Sequence, residues 1–176
     1  MSTIKWALDP THSELGFKIR HLMISNVNGS FKSFQVTAET EGENFSGAKV
    51  EVTAEIKSIF TNNDQRDAHL HSGDFFEADK FPELKFVAKK VEANGSDMTL
   101  AGDLTIKGIT KEVTLNAEFN GIAKDPWGNQ KAGFTVDGKI NRKDWELNWN
   151  APLEAGGFLL GDDIKIHGEI QLVKQA

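Results

Sequence analysis

Ala48-Lys49-Val50-Glu51-Val52-Thr53-Ala54-Glu55-Ile56-Lys57 alternates apolar with charged or polar residues from end to end. Successive side chains of a strand point to opposite faces. Ala48, Val50, Val52, Ala54 and Ile56 therefore share one face, and the lysines, glutamates and Thr53 share the other. A helix would scatter both sets around its circumference, so the spacing predicts a strand with one buried face.

The same period runs outward in both directions. Upstream, Ile4, Trp6 and Leu8 predict a short first strand, followed by a turn at Asp9-Pro10-Thr11-His12-Ser13. Leu15, Phe17, Ile19, His21 and Met23 share one parity and predict a strand with His21 on its apolar face. Asn26-Val27-Asn28-Gly29 has turn chemistry, and Phe34, Val36, Ala38 and Thr40 mark the next strand. Downstream, Leu84 to Ala88, Met98 to Ile106, Val113 to Phe119, Phe134 to Ile140 and Ile164 to Leu172 alternate alike. Turns are predicted at Asn94-Gly95, Lys107-Gly108, Asp125 to Asn129 and Asp162-Asp163, and Asn141 to Leu160 reads as irregular. No amphipathic stretch is long enough to make a helix that covers a sheet. Each strand must then bury its apolar face against other strands. A closed antiparallel barrel of about eight strands does this and leaves no sticky edge. A two-sheet sandwich is the alternative. The expectation is an all-β chain, one extended antiparallel β-barrel domain over residues 1–176.

The inward faces mix large residues with Ala38, Ala54, Ala88, Gly102, Ala117, Gly138 and Gly168. Small inward residues leave a lumen that can hold a ligand. They also relieve crowding where strands bend. On the first reading the wall is aliphatic and aromatic, and a long hydrocarbon fits it.

One stretch breaks the alternation. Asp67 to Phe86 holds two of the five histidines and four of the twelve phenylalanines, with Pro82 restarting extended chain. A short helix or loop is expected near residues 64–76. His69 and His71 would share a face on a strand and could clamp a metal with Asp67 or Asp74; on a helix they diverge. No third histidine stands at metal spacing, although His12 could approach them in space. The favoured reading is that the histidines cap or hydrogen-bond nearby turns, so no metal or other cofactor is expected. Phe75 and Phe76 are placed to cover an end of the lumen, as core plugs or as lining of its mouth. His21, and with it His69 or His71, could meet a polar head group. None of Ser13, Ser25 and Ser72 sits in a nucleophile motif, so catalysis is not expected.

There is no cysteine, which excludes disulfides and thiolate chemistry, and the net charge of −6 argues against nucleic acid. No apolar run is long enough to cross a membrane. The N-terminus reads without a leader, so the chain is expected in the cytoplasm, or in the periplasm if a leader has been removed.

Taken together these segments resemble the YceI-like family of polyisoprenoid-binding proteins. The likeness runs from Trp6 to about Val173. It rests on Trp6 to Ser13, Phe17 to His21, Val27 to Phe31, Ser58 to Thr61, Asp67 to Ser72 with Asp74-Phe75-Phe76, Phe81-Pro82, Gly102 to Gly108 and Asn141 to Trp145. The resemblance implies a lipocalin-like barrel that binds and transports a long isoprenoid, isoprenoid quinone or other amphiphilic lipid, including a fatty-acid-like one, often as a homodimer. Glu146 stands where the family usually carries glycine. Parity assigns Phe17, Ile19, Val36, Val52, Ala54, Ile56, Phe86, Leu104, Leu115, Phe119, Phe134 and Ile140 to the ligand-binding wall. The other readings are an enzyme acting on a lipid-like substrate with His21 or His69 as base, and a stress-related structural protein with a filled barrel.

Overall fold

The computed structural model describes residues 2–150, 153 and 159–175. Among them, strands β1 (Thr3–Leu8), β2 (Glu14–His21), β3 (Ser25–Phe31), β4 (Phe34–Glu41), β5 (Asn44–Glu55), β6 (Ile59–Phe60), β7 (Glu83–Asn94), β8 (Asp97–Ile106), β9 (Ile109–Lys124), β10 (Gln130–Asn141) and β11 (Leu160–Lys174) form one antiparallel sheet. The eight strands β1-β4-β5-β7-β8-β9-β10-β11 close on themselves through a β1–β11 pairing, so the fold is a barrel and not a sandwich. Among the described residues no helix is long and apolar enough to cross a membrane.

Three neighbouring walls are each broken into two strands. β1 continues into β2 after a 3-10 turn at Pro10–His12, β3 runs into β4 across Lys32 and Ser33, and β5 reaches β6 across a 3-10 turn at Ile56–Ser58. The first break has a clear cause. Pro10 cannot donate to a ladder, and Asp9 caps the turn by accepting from the Thr11 N–H. β11 passes here from β2 to β1, with Gln171 bonded to the Asp9 N–H and to the Ser13 hydroxyl. The Asp9 carboxylate also accepts from Lys131 Nζ at 2.6 Å and pairs with His12 Nδ1 at 2.9 Å. Burial alone would raise its pKa; the bonds from Lys131, His12 and Thr11 win and hold it well below the usual carboxylate range. His12 is thus committed to this knot.

Several strand limits differ from the periodic pattern. The strand at Ala48 ends at Glu55, because Ile56 and Lys57 enter the 3-10 turn. Met23 lies past the end of β2, and Leu22 and Met23 turn the chain with positive φ. Asn26 to Gly29 is not a turn but part of β3, paired with β2. Gly29 serves close packing there: a Cβ on it would lie 2.3 Å from the Phe17 ring. Asp162 and Asp163 belong to β11, where the register with β2 slips between Leu160 and Ile164, a bulge that carries both residues. The predicted turn at Lys107-Gly108 is present, with both residues at positive φ. In the irregular segment, Pro152, Gly156 and Gly157 lie outside the described residues.

The floor of the barrel is a packed aromatic cluster. Trp6 lies 5.2 Å from Phe45, and Phe45 lies 4.9 Å from Phe134 and 5.6 Å from Phe119. Two further segments contribute residues to the lining of the barrel interior. One is residues 61–82, with helix α1 (Asp64–His71) capped by Asn63, whose side chain accepts from the Arg66 N–H. The other begins with a 3-10 turn at Arg142–Trp145, and the Trp145 indole donates to the Leu104 carbonyl at 2.9 Å.

Candidate functional site

Inside the barrel lies a cavity of about 570 Å3, a size in the usual range of ligand sites. Its wall comes from the inward parity of nearly every strand. Leu15, Phe17, Ile19 and His21 line it from β2, Val27 and Phe31 from β3, Phe34, Val36 and Ala38 from β4, and Ala48, Val50 and Val52 from β5. The far wall is Leu100 and Leu104 of β8, Leu115 and Ala117 of β9, Phe134, Val136 and Ile140 of β10, and Ile164 and Ile166 of β11. Many of these inward residues are only half-buried although the wall is closed behind them, because they border space and not other side chains.

The polar groups of the lining gather at one end. Thr61, Asn63, Gln65, Arg66 and His69 come from the α1 segment, Arg142 follows β10, and His21 ends β2. His21 makes no side-chain hydrogen bond among the described residues. Arg66 is occupied by Thr61, donating from Nε to its hydroxyl at 2.8 Å and from Nη2 to its carbonyl. The Thr61 N–H is in turn bonded to Asp67 at 2.9 Å.

His69 and His71 sit on α1 and diverge, as a helix requires. His69 Nε2 is 2.8 Å from Asp74 Oδ2, and its ring stands edge-on to Phe75 at 5.0 Å and to Trp149 at 4.7 Å. The contact with Trp149 joins the two segments beside the cavity. His71 is not in the lining, and its Nε2 is buried without a hydrogen-bond partner among the described residues. No three His, Asp or Glu side chains converge at metal-binding distance among the described residues.

Phe17, Ile19, His21, Val36, Val52, Phe75, Phe76, Phe86, Leu104, Leu115, Phe134 and Ile140, assigned to the site by sequence, all stand in the cavity wall. Ala54, Ile56 and Phe119 do not. Ala54 pairs with Phe34 and Leu84, so its methyl is fully buried between two larger side chains and does not reach the lumen. Ile56 has left the strand and packs with Ile59 and Ala78 in a separate small cluster. Phe119 belongs to the aromatic floor, 5.3 Å from Phe134. Parity alone could have supplied Val50, Leu100, Val136 and Ile166. Val27 was hidden by its asparagine neighbours, and Arg142 by the expectation that a cation lies outside.

The turn carrying Arg142 explains the departure at Glu146. Glu146 adopts φ 58° and ψ 29°, the left-handed conformation, while its N–H caps the turn on Lys143 O. Glycine takes this conformation without strain, and any other L-residue takes it at a cost. Glu146→Gly is expected to raise stability by about 0.5–1 kcal/mol in urea unfolding. A loss of stability would mean that the glutamate side chain holds the turn.

The comparisons agree with this architecture. The chain is 46% identical over 167 residues to UPF0312 protein SAS2572 of Staphylococcus aureus strain MSSA476, covering 94% of this chain and 95% of that protein. The crystal structure of a Campylobacter jejuni YCEI protein matches with a TM-score of 0.76 and 36% identity, over 96% of this chain and 97% of that one. A polyisoprenoid-binding domain from Saccharophagus degradans shares the fold at a TM-score of 0.64 and 14% identity, over 97% of this chain and 98% of that one. The YceI-like domain matches residues 6–172, and with that coverage the chain belongs to the YceI-like family.

Proposed function

We propose that the protein binds and carries an amphiphilic long-chain lipid of the isoprenoid class, with its apolar tail in the barrel cavity. The observation that carries this reading is the cavity itself, some 570 Å3 of space with aliphatic and aromatic walls and with polar groups at one end only. Burying a tail returns about 0.8 kcal/mol per methylene. Ten carbons then give a gross gain of roughly 8 kcal/mol, enough to offset a large part of the cost of association. A small polar molecule gains nothing comparable. The ligand of the Saccharophagus degradans domain supplies the isoprenoid class as the first candidate.

Native mass spectrometry with lipid extraction tests the reading. A long-chain lipid recovered unchanged supports a carrier. Turnover of that lipid, abolished by His21→Ala, would replace the carrier with an enzyme. A blocking variant tests the location. Val136 lines the cavity and pairs with Ala117 and Gly168, whose small side chains take little of the space beside it. Val136→Trp is expected to weaken binding of a neutral apolar fluorescent probe at least about tenfold, with cooperative unfolding retained. Unchanged binding would place the ligand elsewhere.

A further inference from the structure

Arg142 is only 1% exposed and lines the cavity at the end where its polar groups gather. A guanidinium carries five N–H donors and stays charged. Nε donates to the Gly161 carbonyl at 2.9 Å. Nη1 donates to the Trp149 carbonyl at 2.8 Å and to the Leu147 carbonyl. Nη2 is buried and has no hydrogen-bond acceptor among the described residues. Among the described residues the nearest carboxylate oxygen, on Asp162, is 3.9 Å away, and Lys143 approaches the same oxygen at 3.5 Å. A buried charge left short of acceptors is costly, and the described residues leave this nitrogen without one. Arg66, the other cation of the lining, differs in being bonded to Thr61.

The geometry points to Arg142 as the head-group site of the cavity, selecting a lipid whose polar end carries anionic oxygens, a carboxylate or a phosphate. Two N–H groups on one planar nitrogen suit such an oxygen, and a charge-assisted bond there is about twice as strong as a neutral one. The ring of His21, which makes no side-chain hydrogen bond among the described residues, lies in the same wall. This inference rests on the lipid-binding reading above and narrows its ligand.

The test uses the delipidated full chain and displacement of the neutral probe N-phenyl-1-naphthylamine by hexadecanoic acid, hexadecyl phosphate and hexadecanol, which share one tail. Both acids are expected to bind at least about tenfold more tightly than the alcohol, the least that a hydrogen bond to a charged group returns. The tighter of the two acids identifies the head group. Arg142→Met should bring all three within about twofold of one another. Equal binding of all three to the parent protein overturns the anion site and leaves lipid binding intact. Displacement by none of them overturns lipid binding itself. If Arg142→Met fails to fold by circular dichroism, the ratio of acid to alcohol in the parent protein decides alone.

Discussion

Gly102→Ala is expected to cost at least about 3 kcal/mol and to leave little soluble protein at 37 °C. Gly102 sits on β8 opposite the place where β7 bulges, between Ala88 and Lys90. A Cβ on it would lie 2.2 Å from the Val87 carbonyl oxygen and 2.7 Å from the Ala88 Cα. Both are backbone atoms, so no side chain can rotate away. Relief requires two strands of a closed ring to separate, which breaks ladder bonds and loosens the core beneath. Overpacking of ordinary side chains costs about 1–3 kcal/mol, and a clash with backbone lies beyond that range. Urea unfolding of the variant, or its failure to express, is the measurement. A loss under about 1 kcal/mol would show that the bulge can slide and that the ring is more compliant than its register implies.

Trp6→Ala is expected to cost about 4 kcal/mol. Trp6 is 1% exposed and forms the floor with Phe45. Its indole N–H donates to the Thr40 hydroxyl at 2.9 Å, and that hydroxyl, itself buried, donates to the Gly42 carbonyl at 2.6 Å. Removing the ring loses apolar burial, opens a cavity below the existing one and strands an acceptor. Tryptophan or phenylalanine truncation in a core costs about 3–5 kcal/mol. That is a large part of a typical stability of about 5–15 kcal/mol. Trp6→Phe should recover most of the packing but not the hydrogen bond, about 1 kcal/mol. A Trp6→Ala cost below about 1.5 kcal/mol would mean that Phe45 and Phe134 collapse into the gap.

Alternation decided most of the fold because every wall of a barrel has one dry face. It failed where a local signal was overruled by pairing. Asn26 to Gly29 carries turn residues, yet β2 supplies a ladder beside it, and Gly29 is needed as room for Phe17. The small inward residues turned out to serve both roles. Ala38, Ala117 and Gly168 border the cavity, whereas Gly102 and Gly138 accommodate backbone and the Leu115 side chain. A one-letter pattern cannot separate these cases, since the difference lies in what the neighbouring strand brings opposite. Arg142 was beyond reach for another reason. Its role depends on carbonyls from Leu147, Trp149 and Gly161 that meet only in three dimensions.

The β1–β11 seam sets the order in which the protein can be made. Trp6, Ala7 and Leu8 find their partners in Lys174, Val173 and Leu172, at the opposite end of the chain. Hairpins such as β7–β8 and β8–β9 are local and can pair early. The ring cannot close until the last strand has left the ribosome, and the entropy of that long loop must be overcome before the seam contributes anything. Until then the inward faces stand open to water, and during that interval a nascent chain is most exposed to aggregation.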